Sequence, residues 1–387
     1  MHVERLWLSD WRCWEVAELA PSATGITLLT GPNGSGKTNV LEALAWLARR
    51  ESFRAAPRDV LVREGAPQAI VRGRFDSGGR ALLVEAECNV PGRDRVLVNR
   101  QPVRHHRELQ ASFPVSVFTP DDLAVVKGSP SERRAVLDET ASSISASFAE
   151  ARAGLDRVLR QRAILLRQAS GRLTAEIEDT LAVWDRQLSR LGEEVAARRE
   201  ALVAALRPAF ESAYGRVAGE RGSVSLSYTR SWSGELDAAL AAHRGEDLRR
   251  QVTSVGPHRD ELVILHAGKL ARSHASQGEQ RTLALALRLA AHTLVEEHVG
   301  TAPILLLDDV LSELDDYRAA ALIEAVPSAQ VILAAASPPR LGIDVATTID
   351  VREIGRRLGA TQGGGGGAPL VDGGESGTPM CPAAVES

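Results

Sequence analysis

A chain of 387 residues, 44% hydrophobic and 25% charged, has the composition of a globular protein with room for two or more folding units. Its formal charge of −4 excludes a protein that is basic all over, so a polyanion partner would have to meet a local patch. The three cysteines form no CxxC pair, which excludes a disulfide framework, and no apolar run approaches the ~20 residues of a membrane span, so a cytoplasmic protein without a membrane partner is expected.

Residues 2–8 and 25–30 read as strands, the second running into TGPNGSGKTN and a helix from Thr38 to about Arg50. Gly31, Pro32, Asn33, Gly34, Ser35, Gly36, Lys37 and Thr38 fit GxxxxGK[ST], and Asn39 follows directly. In such a loop backbone N–H groups wrap a nucleoside triphosphate, the lysine reaches the β- and γ-phosphates, and the threonine hydroxyl is a magnesium ligand. Residues 69–75, 81–88 and 95–98 lie between turn signals and predict an antiparallel meander.

After VFTPDDLAVVKG the pattern becomes helical, with Ser129, Pro130 and Glu132 spaced as a capping box. Residues 145–217 continue as helix with a break near 170–174. Ile177, Leu181, Trp184, Leu188, Leu191 and Val195 give a coiled-coil seam, so an antiparallel hairpin is predicted. In its first helix Arg152, Arg157, Arg160 and Arg167 lie opposite a leucine-rich face, and a basic face of that kind can track DNA phosphates without reading bases. A solvated outer face is an equally good reading, and Arg162 falls on the apolar side.

Residues 224–229 and 261–271 read as strands. Between them, in VGPHRDEL, His258, Arg259 and Asp260 suggest either acid–base or metal chemistry, or a turn held by a local Arg–Asp pair. SHASQGEQRTLALALRLAAH, residues 273–292, is a loop feeding a long helix, and its free N–H groups make a second anion-reading helix end. ILLLDDVLSELD, residues 304–315, is an apolar strand ending in two carboxylates. Asp308 is placed to hold magnesium and Asp309 to orient or deprotonate an attacking water. Lys127 and Lys269 lack the neighbours of a guanine-reading motif, which favours ATP. A helix near 316–325 and a strand QVILAAA follow, and the Gly-rich residues 355–387 are expected to form a disordered tail.

In this order GPNGSGKTN, VFTPDDL, KGSPSERR, VGPHRDEL, SQGEQRTLALAL and LLLDDVLSELD span residues 1–333 and resemble the RecF family, bacterial gap-repair ATPases related to SMC proteins. The resemblance implies an α/β fold: an ABC/SMC-type P-loop ATPase head built from residues 1–120 and 251–354, with an inserted helical arm at 121–250. It implies ATP and Mg²⁺, with Ser276, Gln277, Gly278 and Glu279 as a signature loop reading the γ-phosphate held by a second subunit in an ATP-dependent homodimer. Ser312 to Asp315 match the D-loop at that interface. Arg12, in DWRCW, matches an element that approaches nucleotide, while a surface arginine at a strand end remains as good a reading.

The function implied is a weak DNA-stimulated ATPase that closes on double-stranded and gapped single-stranded DNA and, with RecR and RecO, helps load RecA. The alternative is the ATPase subunit of a membrane transporter, against which stand the more than two hundred residues between Lys37 and Ser276. A nuclease carrying such an ATPase would need a second acidic domain. Ala334, Ala335, Ala336 and Ser337 occupy the place where relatives carry a histidine or threonines, and Asp309 replaces the usual glutamate. Slow hydrolysis is expected from both.

Overall fold

The computed structural model describes residues 1–103, 113–219, 223–326, 329–336 and 344–357. In chain order, β1 (His2–Trp11), β2 (Trp14–Leu19) and β3 (Ile26–Thr30) precede helix α1 (Lys37–Arg49) and the short α2 (Arg58–Leu61). Strands β4 (Gln68–Ser77), β5 (Arg80–Asn89), β6 (Val96–Val98), β7 (Gln101–Pro102) and β8 (Val115–Phe118) follow. Helices α3 (Leu123–Lys127), α4 (Pro130–Ile144), α5 (Ala146–Ala169) and α6 (Ala175–Ala218) come next. Then come β9 (Val224–Thr229), α7 (Leu236–Arg250), β10 (Glu261–His266), β11 (Lys269–Leu270), α8 (Ala271–His274) and α9 (Gln277–Val299). The last elements are β12 (Ile304–Asp308), α10 (Asp316–Glu324), β13 (Val331–Ala334), β14 (Val345–Asp350) and β15 (Gly355–Arg357).

The apolar runs of β3, β12 and β13 are buried throughout, as central strands of a parallel sheet must be. That sheet has the order β14-β3-β13-β12-β8, with all pairs parallel. Its side chains divide by the period of two. Leu29, Ile304, Leu306 and Ile332 point into a core shared with α1 and a second, antiparallel sheet β15-β2-β1-β4-β5-β6-β7. Leu28, Leu305, Leu307 and Leu333 point the other way, into a core shared with α4, α5, α6 and α9. Helices α1 and α9 therefore cover opposite faces of one sheet.

The predicted hairpin is α5 packed on α6, with Leu181, Leu188 and Val195 fully buried along the seam. Thr174 caps α6, and Ser129 with Glu132 forms the expected capping box on α4. Arg162, on the apolar side of α5, is wholly buried as an ion: its Nε donates to Asp185 Oδ1 at 2.8 Å and one Nη to Asp247 Oδ2 at 2.7 Å. Paired carboxylates are what make that burial tolerable.

Two boundaries differ from the expectation. The cut at residue 250 divides a sheet, because β9, read as part of the arm, pairs with β10 along its full length. Its apolar face joins the same core as α6 and α9, so the arm root and the lobe are one packed body. The tail was expected from residue 355, yet Gly355–Arg357 is a strand paired with β2. Only glycine permits that approach, since a Cβ at Gly355 would fall 2.0 Å from the Val16 carbonyl oxygen. The rest of the predicted tail, 358–387, lies outside the described residues, as does Ser337. No helix among the described residues is long and apolar enough to cross a membrane.

Candidate nucleotide site and signature helix

The turn from β3 to α1 is possible because three of its residues are glycines with positive φ: Gly31 at 145°, Gly34 at 75° and Gly36 at 95°. A Cβ at Gly31 would meet Ser35 Oγ at 2.7 Å, and one at Gly36 would meet Cys13 Sγ at 2.9 Å, so the loop has no space for any other residue there. The first turn of α1 holds no acidic residue and Gly36 provides no side-chain cap, which leaves its N–H groups facing outward as an anion cradle. Lys37 Nζ donates to the carbonyls of Gly31 (2.7 Å) and Pro32 (3.1 Å), folded across that cradle. Pro32, Asn33 and Gly34 are exposed, whereas Ser35 is buried. Asn39 braces the loop from behind: its side chain donates to Cys13 Sγ and its carbonyl accepts from Trp11 Nε1.

Thr38 Oγ1 donates to Asp308 Oδ1 at 2.8 Å, joining the helix start to the end of β12. Burial raises the Asp308 carboxyl above the usual range, although the Thr38 hydroxyl pulls it down; Asp309 adds to the rise, and Arg54 and Lys37 oppose it. A half-buried hydroxyl–carboxylate pair beside an open N–H cradle is a donor set that fits a magnesium ion on a triphosphate. When bound, that ion neutralises developing phosphate charge. Asp309 is exposed, has φ 54°, and its N–H donates to the Ala334 carbonyl at 2.9 Å. Ala334 and Ala335 are buried at the end of β13, directly between β3 and β12, and present only methyl groups there.

The second helix end is built differently. Ser276 Oγ accepts from Glu279 N at 3.3 Å, and Glu279 Oε2 accepts from Ser276 N at 2.7 Å, a reciprocal cap on α9. The Ser276 backbone N–H holds the Glu279 carboxyl below its ordinary range. Gln277 and Gly278 are exposed, and a Cβ at Gly278 would meet no atom within 4 Å. Nothing among the described residues requires that glycine. In the adjoining turn Ser312 Oγ donates to the Asp309 carbonyl, and Asp315 caps α10, whose Arg318 Nε reaches Thr282 Oγ1 on α9 at 2.9 Å.

Arg12 is neither a surface arginine nor free to reach outward. Its guanidinium makes a bidentate pair with Glu42 of α1, at 2.7 and 2.6 Å, and the Glu42 side chain is fully buried. Of the four arm arginines, Arg157, Arg160 and Arg167 are exposed, but Arg152 is committed to Asp138 and Asp156. The local Arg–Asp pair read into VGPHRDEL does not form. Asp260 is wholly buried and accepts from Tyr228 Oη at 2.5 Å and Ser231 N at 2.8 Å, while Arg259 Nε donates to the Thr253 carbonyl. Burial raises the Asp260 carboxyl, against the pull of those hydrogen bonds. His258 is engaged with the Thr253 carbonyl, and burial lowers it to about 4. The motif is a buried polar knot at the arm root, which the spacing alone does not reveal because its partners lie about thirty residues upstream.

One residue went unread in the sequence. Arg54 is exposed, lies within electrostatic reach of Asp308, and its guanidinium makes no hydrogen bond or ion pair among the described residues. Its neighbours are all engaged: Arg49 with Glu139, Arg50 with Asp94 and the Trp46 ring, Arg58 with Asp94. Four similar arginines within ten residues carry no signal of which one is left without a partner among the described residues.

The RecF/RecN/SMC N terminal domain family model matches residues 2–340. The chain is thus an SMC-like ABC-class ATPase head, and the SMC head domain from Pyrococcus furiosus shares the fold at a TM-score of 0.50 with 17% identity over 87% of this chain and 90% of that one. Relatives called DNA replication and repair protein RecF are 41% identical over 352 residues in Streptomyces avermitilis, covering 87% of this chain and 94% of the relative. In Frankia alni the figure is 41% over 356 residues, covering 87% and 93%. The solved structure of the recombination mediator protein RecF-ATPrS in the RecFOR pathway superposes with a TM-score of 0.82 at 27% identity, covering 90% of this chain and 96% of that one. The chain belongs to the RecF family of DNA replication and repair proteins.

Proposed function

We propose that this protein is an ATP-dependent DNA-binding protein of recombinational gap repair that dimerises head to tail around two ATP molecules and clamps duplex or gapped DNA. The observation that carries the reading is the placement of the N-terminal ends of α1 and α9, each with a glycine in or just before its first turn, on opposite faces of one sheet. The cradle before α1 is open, whereas the α9 end leaves the Gly278 backbone bare toward solvent. A helix end that its own chain does not need is explained by a second chain. Gly31 to Asn39 hold ATP, Thr38 and Asp308 hold Mg²⁺, Asp309 orients water, and Ser276 to Glu279 read the partner's γ-phosphate after the cap exchanges Glu279 for it. Turnover is slow, because only methyl groups stand at Ala334 and Ala335 and Asp309 has a short reach. Arg157, Arg160 and Arg167 follow the DNA backbone. Partnership with RecR and RecO is supported by the similarity to the RecFOR-pathway structure, and RecA loading in the cytoplasm belongs to the same proposal.

The test is solution mass by light scattering for Asp309→Asn, with and without ATP and magnesium, repeated with a short duplex. Mass doubling on ATP, enhanced by DNA, is expected. A monomer under saturating ATP removes the clamp.

A further inference from the structure

A phosphate docking on the N-terminal end of α9 needs the Ser276 N–H, and that group already donates to Glu279 Oε2 at 2.7 Å. Carboxylate and phosphate carry the same sign, so the cap must open, and the displaced carboxylate must find a donor at an interface that sheds water. The fold puts one beside it. His266, at the C-terminal end of β10, has Nδ1 3.9 Å from Glu279 Oε1, just beyond hydrogen-bond range. Its other nitrogen, Nε2, lies 2.9 Å from the hydroxyl of buried Tyr214, near the end of α6, and the two rings pack with centroids 5.7 Å apart. An Nε2 that accepts from the Tyr214 hydroxyl leaves the ring proton on Nδ1, the nitrogen that faces Glu279. The β10–β11 turn fixes the backbone of His266 as well: Ala267 and Gly268 have φ of 49° and 73°, the pair of left-handed residues a two-residue hairpin requires, and Ala267 N–H donates to the Ser223 carbonyl at 2.7 Å.

We infer that His266 is a positioning residue for phosphate recognition: held by Tyr214, it receives the Glu279 carboxylate when a partner's γ-phosphate takes the Ser276 N–H. The inference rests on the dimer reading above and supplies what that reading leaves open, the place to which Glu279 goes. Without a phosphate, Glu279 closes the cap and the helix end is satisfied within its own chain. With one, the carboxylate moves to Nδ1 and the cap N–H turns to the phosphate. A receiver already in place replaces the hydrogen bond that opening the cap breaks, so the carboxylate is not left unpaired beside a second anion. Tyr214 belongs to the long arm helix, so the same imidazole ties the signature end of the lobe to the arm.

The experiment uses the full chain and reads two quantities: Kd for a fluorescent, non-hydrolysable ATP analogue with magnesium at dilute protein, and the dimer dissociation constant in saturating analogue by analytical ultracentrifugation. His266→Ala should weaken the dimer roughly tenfold while analogue affinity changes by less than about twofold. His266→Phe, which keeps a ring against Tyr214 but offers no donor, should lose as much, and decides the case if the alanine variant does not fold. His266→Gln, whose amide still donates, should recover most of the loss. Glu279→Gln should dimerise at least as well as wild type, since a neutral amide leaves the cap with no charge to place, and adding His266→Ala to it should change nothing further. A loss on removing His266 that is as large in the Glu279→Gln chain marks a merely structural role and overturns the proposal. So do dimers of wild-type strength in His266→Ala and His266→Phe, or a Glu279→Gln chain that no longer dimerises. A wild type that stays monomeric in saturating analogue overturns the dimer reading, and the receiver falls with it.

Discussion

Ser276 and Glu279 satisfy each other's backbone N–H groups at the start of α9, so the signature serine is a helix cap in the single chain. Its replacement by alanine should cost about 1 kcal/mol of stability, measured by urea unfolding. Ser276→Arg should bind ATP with wild-type affinity and fail to double its mass with ATP, because the new side chain fills the space a partner's phosphate would occupy. Normal ATP-dependent dimers of that variant would sink the trans reading.

Arg49 of α1, Glu139 of α4, Arg288 of α9 and Asp122 form an alternating chain of charges where the sheet, the arm and the signature helix meet. Burial pushes the Glu139 carboxyl up, but Arg49 and Arg288 outweigh it and hold it below the usual range. Glu139→Ala leaves Arg288 with Asp122 but strands the largely buried Arg49 guanidinium, and should cost roughly 3 kcal/mol, readable as a lowered urea midpoint at unchanged slope. A midpoint within error of wild type would mean that water reaches the joint and screens it.

Arg160 and Arg167 are exposed on α5 and bind no acid among the described residues. Reversing both to Glu should weaken DNA binding and lower the slope of log K against log salt by about 2, as two lost phosphate contacts require. Arg152→Glu should leave that slope unchanged but destabilise the arm root, since it replaces a cation that pairs with Asp138 and Asp156. An unaltered slope in the double variant would reduce the basic face to a solvated one.

His292, buried on α9 with Nδ1 3.0 Å from Ser116 Oγ, is lowered to about 4 by burial, and His258 likewise. Above pH 6.5 both are neutral whether the chain is folded or not. As pH falls from there toward about 4 the unfolded chain takes up protons that the folded one refuses, so stability present at neutral pH is lost. The loss is up to roughly 3 kcal/mol per histidine. Urea midpoints at pH 7.5 and 5 for wild type and His292→Gln check this: the variant should show the shallower pH dependence, and equal slopes would contradict the burial argument.

The phosphate loop, the capping box at Ser129, the hairpin seam and the strand ending in Asp308 were legible in the sequence, because each depends on residues within one turn or one strand of each other. Spacing of that kind sets local conformation directly: glycines where φ must be positive, leucines where a face must be buried. It also carried the family, since the motifs keep their order. The pairings across long separations were decided only by the folded chain. Thr38 meets Asp308 from 270 positions away, Arg12 is claimed by Glu42, Arg152 by Asp138, and Asp260 by Tyr228 and Ser231. A charged side chain in the sequence is a reach without a direction, and burial selects its partners by leaving only certain charges and hydrogen-bonding groups within that reach. For the same reason Arg54, one arginine among four, was distinguished only when packing had engaged the other three.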